Sequence, residues 1–123
     1  MSLSSKIPNA SQYLGHPYTI SDFDAVSFTA LAMNEAHSTN PSVYNKFVVK
    51  VTAPAKGATV VHTYAEGLAA LKAKKTIQYV GASGPLVFDK YHSAGRSFSY
   101  DKYDAATKSM VPVTIIPGTA LNG

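Results

Sequence analysis

Few side chains in this sequence could do chemistry, and their spacing decides which reactions are open. The histidines are His16, His37, His62 and His92, and no two lie three or four residues apart. A zinc site built from them would need long-range assembly without one cysteine, so no metal site is expected. Gly81-Ala82-Ser83-Gly84 resembles the start of a nucleophile elbow, but the second glycine falls one place early and Pro85 follows. The elbow needs G-x-S-x-G between a strand and a helix, so a tight glycine turn is expected instead. Asp22 and Asp24 open a helical stretch, where negative charge favours the helix dipole. Asp101 and Asp104 flank a polar run of tyrosine and lysine and read as solvated. Neither phosphate-cradling glycine pattern occurs. Neither a catalytic residue nor a cofactor is expected, and the chain does not read as an enzyme.

Of the aromatic residues, Tyr18 is the one whose position suggests contact with a ligand. It stands just before the first helix, where a loop can present it to a cleft. The competing reading is a ring packed over the helix start.

The elements that would position these residues follow from periodicity and caps. Phe23, Val26, Ala30, Leu31 and Met33 recur at helical spacing, which predicts a helix over about 21–37 with those residues as its buried stripe. Thr19 and Asp22 fit a capping box at its start. Asn40 followed by Pro41 predicts a second helix over about 41–52, with Val43, Phe47 and Val51 facing one way. Pro54 closes it. Residues 57–62 are short, β-branched and extended in character. Thr63 and Glu66 form a second capping pattern, predicting a third helix over about 63–75 with Tyr64, Leu68 and Leu71 buried. Lys72, Lys74 and Lys75 would occupy its last turn, where positive charge suits the dipole.

From Ile77 onward the period becomes that of strands, giving a β segment over about 77–116. Residues 81–85 make a turn. Ser97 to Tyr103 alternates, and Pro112 confines the final run to an edge or irregular strand. The chain by itself therefore reads as three helices followed by a small antiparallel β segment. Three amphipathic helices need a shared surface to cover, and a larger sheet from sequence outside this chain would serve them better than the β segment alone.

Composition bounds the rest. The chain has 123 residues, 46% apolar and 15% charged, which is one globular domain's worth of sequence. Eleven basic against seven acidic residues leave a formal charge of +4, with one arginine, Arg96. That is too dispersed for a nucleic-acid footprint. There is no cysteine, no apolar run long enough to cross a membrane, and no signal-peptide pattern at Met1 to Ser5.

Two stretches carry a family resemblance. Ser21-Asp22-Phe23-Asp24-Ala25-Val26, leading into Leu31-Ala32-Met33, resembles the tyrosine-aspartate-alanine helix start of solute-binding proteins of the branched-chain amino acid type. Phe23 stands where tyrosine is usual. Ile77, Tyr79, Gly81-Ala82-Ser83-Gly84-Pro85, Phe88-Asp89, Gly95 and Tyr100 resemble the segment near the end of those proteins, with the intervening helices in the expected order. The likeness spans about residues 13–116. It implies that residues 1–123 are a single partial domain, the C-terminal part of a type I periplasmic binding protein. The parent fold is α/β, with two Rossmann-like lobes that close on a solute.

The same resemblance implies an amino-acid-like solute as ligand, an ABC transporter permease as partner, and a periplasmic or extracellular parent. The carboxylate- and ammonium-binding positions would come earlier in the chain and are absent here. Tyr18 matches a place where some members set an aromatic against the ligand side chain. The alternative is a ligand-sensing domain of a receptor or regulator with the same fold. Uncovered helix faces would also favour pairing of the segment with a copy of itself.

Overall fold

The computed structural model describes residues 18–88 and 97–117, together with Asn9 and Ala94. These belong to two compact units, one up to Val87 and one from Phe88 onward.

The first unit holds three helices and a mixed sheet among its described residues. Helix α1 spans Thr19–Ala36. It begins without the expected box: Tyr18 is the N-cap, makes no side-chain capping bond, and Thr19 already lies inside the helix. Backbone closure starts instead with Asp22 N–H donating to Tyr18 C=O at 2.8 Å. Helix α2, Pro41–Thr52, starts as its sequence dictates, with Asn40 Oδ1 accepting from Ser42 N–H at 3.0 Å and Pro41 in the first turn. Strand β1 is Thr59–Val61, and helix α3 is Tyr64–Lys72. Thr63 caps α3 by accepting from Glu66 N–H, while Glu66 reaches one residue further back, to His62 N–H at 2.8 Å.

Helices α1 and α3 end alike. His37 and Lys74 adopt left-handed φ of 49° and 56°. Ser38 N–H reaches back to Met33 C=O, and Lys75 N–H to Ala70 C=O. This is the Schellman arrangement, normally completed by glycine. It ends α3 at Lys72, so Lys74 and Lys75 stand beyond the helix rather than in its last turn.

Strand β2, Ile77–Gly81, runs parallel to β1 in the register Thr59↔Ile77 to Val61↔Tyr79. With α3 between them they form a β-α-β crossover. The sequence marked residues 57–62 as extended but gave no pairing partner, because a parallel partner is never local. Strand β3, Gly84–Pro85, folds back antiparallel on the end of β2 and gives the order β1-β2-β3. Helix α1 packs on α2 and α3, α2 packs on β2, and α3 packs on β1 and β2. The core is Leu31, Ala32, Val51, Val61, Ile77, Tyr79 and Leu86.

The buried face of α1 differs from the expected stripe. Asp24, Ser27, Leu31 and Ala32 are buried, while Phe23 is 42% and Val26 72% exposed. Apolar residues ring this helix, so hydrophobicity alone does not orient it. Two specific contacts do. Leu31 fits against Gly67 of α3, where a Cβ would lie 2.6 Å from a Leu31 methyl. The second contact is made by Asp24.

Among its described residues the second unit is a hairpin, β4 (Phe98–Asp104) with β5 (Ser109–Ile116), plus an isolated bridge from Phe88 to Ala94. The turn closes as Asp104 accepts from Ala106 N–H at 2.9 Å, and Lys108 takes a φ of 51°. Pairing slips between Tyr100 and Asp101, which face Thr114 and Pro112. Val113 is thus the extra residue of a bulge beside Pro112. In a two-stranded ribbon both strands are edges, which satisfies the constraint proline imposes.

Candidate functional site

The most concentrated polar structure in the described residues is built around Asp24. Its carboxylate is fully buried, one and a half turns into α1. Oδ1 accepts from the Tyr79 hydroxyl at 2.9 Å and from Ala82 N–H at 3.1 Å. Oδ2 accepts from Ser83 N–H at 2.7 Å and from the Ser83 hydroxyl. Among the described residues four donors thus meet two oxygens, and every one comes from β2 or the β2–β3 turn.

This arrangement makes burial of the charge tolerable. An ionised carboxylate without partners would carry a large desolvation cost. Successive backbone N–H groups in a turn form a small anion-holding concavity, and hydrogen bonds to a charged acceptor are stronger than neutral ones. The role of Gly81 follows from the same geometry. A Cβ there would collide with the Asp24 carboxylate, so glycine is needed for close approach, not for turn formation. Gly84, with φ at +93°, provides the turn's left-handed position.

Tyr79 is held protonated. Burial raises its pKa, the hydrogen bond with Ser27 pulls it down, and the hydrogen bond to Asp24 and that residue's charge push it up again. The net shift is upward, so at neutral pH the hydroxyl donates. Ser27 is buried on the same helix face and donates to Phe23 C=O at 3.0 Å. No buried side-chain nitrogen or oxygen among the described residues lacks a partner.

Tyr18, the residue singled out from the sequence, stands at the α1 N-cap with its side chain 72% exposed. It does not pack over the helix start. Asp22 is exposed in the first turn of α1. His37 closes α1, and His62 Nδ1 lies 2.8 Å from Val80 C=O, so each has a local structural place. His16 and His92 lie outside the described residues. Among the described residues no group of acidic or histidine side chains is placed to hold a metal ion. Asp101 accepts from Ser99, and Asp104 is drawn below the ordinary carboxylate range first by the Ala106 N–H. A shallow open groove of about 660 Å³ runs along the end of α1, lined by Ala30, Met33, Asn34, His37, Ser38 and Thr39.

Sequence reasoning assigned Asp24 to the helix dipole, because its partners stand 55 to 59 residues away. A signal was present nonetheless. Asp24 shares a helical face with Ser27 and Leu31, and a glycine-flanked turn follows a buried strand. No family model, curated protein or solved structure matches this chain.

Proposed function

We propose that this chain is the C-terminal part of an extracytoplasmic solute-binding protein that captures an amino acid or similar small solute for an ABC transporter. The observation that carries the reading is the β1-α3-β2 parallel crossover. Parallel pairs with a helical crossover belong to α/β layers whose faces are covered on both sides. Among the described residues that layer has three strands. Val60 of β1 is 51% exposed, and Phe23 and Val26 of α1 face solvent. Further strands and a second lobe would cover such surface.

The motif order supports the same reading. The two stretches that resemble the branched-chain amino acid binders, around Asp24 and around Gly81-Ala82-Ser83-Gly84, are the two that meet in the Asp24 network. In this proposal the segment supplies framework and lobe wall, Tyr18 faces the solute, and the polar anchors lie earlier in the parent. Capture proceeds by population shift, since the solute binds the closed pair of lobes better than the open one. The parent works in the periplasm or outside the cell and delivers its cargo to a permease. The exposed apolar side chains also support pairing of the isolated segment with a copy of itself, which light scattering would read as twice the chain mass.

The test is a side-by-side titration with a panel of amino acids. A parent chain of roughly three times this length is expected to bind one of them with a Kd on the order of 1 μM. The 123-residue chain is expected to bind none. Micromolar binding by the short chain, or indifference of the long one to the whole panel of small solutes, would remove the basis for this function.

A further inference from the structure

The donors around Asp24 sit on elements other than the helix that brings the carboxylate. Tyr79 is fixed in β2 by pairing with Val61. Ala82 and Ser83 are fixed by the β2–β3 ladder, Val80↔Pro85 and Gly81↔Gly84. Gly81 leaves open the volume where the carboxylate lies. Among the described residues neither lysine nor arginine donates to it. The negative charge is held by neutral dipoles arranged two to each oxygen, a pattern that fits a planar, two-oxygen anion better than a spherical one.

We infer that the β2–β3 turn with Tyr79 is a carboxylate receptor in its own right, and that Asp24 is its built-in ligand. The turn is held on α1 by ligation of an anion, and the covalent link between that anion and α1 is separable from its recognition. The ligand class is a small monocarboxylate. Formate replaces the group lost in Asp24→Ala, and acetate replaces the group lost in Asp24→Gly, because each restores the missing atoms and no more. In the wild-type chain the resident carboxylate fills the receptor, so neither anion gains entry.

The experiment is chemical rescue of the full chain followed by thermal or urea unfolding. Asp24→Ala is expected to be less stable than wild type and to recover with formate, and Asp24→Gly to recover better with acetate than with formate. At ten times the anion's Kd the folding equilibrium should shift about tenfold by mass action. Chloride at equal ionic strength should do nothing, and wild type should not respond to either anion. Adding Ser83→Ala or Tyr79→Phe to Asp24→Ala should weaken the rescue severalfold. If Asp24→Ala folds only in formate, the inference stands in its strongest form. It is overturned if neither variant responds to its matched anion, folded or unfolded, if chloride rescues equally, if wild type responds as much as the variants, or if Asp24→Ala is as stable as wild type.

Discussion

In the unit ending at Val87, Leu31, Val51, Ile77 and Tyr79 are at most 2% exposed, whereas no residue of β4 or β5 is buried. The hairpin is not short of apolar side chains. Phe98, Tyr100, Tyr103, Met110, Val113 and Ile115 are each more than half exposed. It has cross-strand pairs such as Tyr103 with Met110 and Phe98 with Ile116, and a well-formed turn. Among its described residues there is no second layer. A two-stranded ribbon is marginal in water on its own, while a sheet roofed by helices is not. Apolar composition therefore gives strand pairing in one unit and a core in the other, and the difference lies in whether something covers the strands.

Truncation should separate the two units most sharply. Leu31→Ala, which also empties the contact with Gly67, should cost about 2–5 kcal/mol in a urea melt. Ile115→Ala, at 68% exposure, should change the same melt by less than about 0.5 kcal/mol. Equal losses would mean that the hairpin packs as firmly as the core. Next in size is Asp24→Asn. The amide turns an N–H₂ toward donors that need an acceptor, so about 2–3 kcal/mol should be lost. No effect would show the buried carboxylate to be energetically idle.

A gain of about 0.5–1 kcal/mol is expected from His37→Gly or Lys74→Gly, since each relieves a left-handed backbone that a Cβ opposes. A rise in the midpoint of the melt is the readout. Last is an effect of alkali. The Tyr79 pKa is higher in the folded chain than in the unfolded one, so its protonated form stabilises the fold. That contribution is complete below about pH 10 and is lost as the pH rises through the raised folded value. A stability profile against pH should therefore lose its alkaline fall in part in Tyr79→Phe.

How much of this was readable beforehand follows from how local each signal is. Asn40-Pro41 and Thr63 carry their caps in adjacent residues, and both helix starts were legible. The three helices and the antiparallel pair stand in the order the periodicity gives. The α1 box failed because Tyr18 took the cap, and the buried stripe failed because apolar residues surround that helix on every side. The parallel pairing of β1 was not legible, since a three-residue strand has no period and its partner lies beyond a helix. Asp24 was misread for the same reason on a larger scale. Helix periodicity and capping reach only about four residues along the chain, and the partners of Asp24 stand 55 to 59 residues away.

That distance has a kinetic consequence. Asp24 meets Ser83 across a sequence separation of 59 residues. Closing a loop of that length costs chain entropy before the contact returns anything. The β1-α3-β2 crossover must assemble first, because it creates the turn that supplies the donors. The carboxylate then acts as a late fastener. Contacts made after the folding transition state leave the folding rate almost untouched and govern how fast the native state comes apart. Removing the Asp24 carboxylate is therefore expected to speed the unfolding of unit one with little effect on its folding rate, which stopped-flow unfolding and refolding in urea would read.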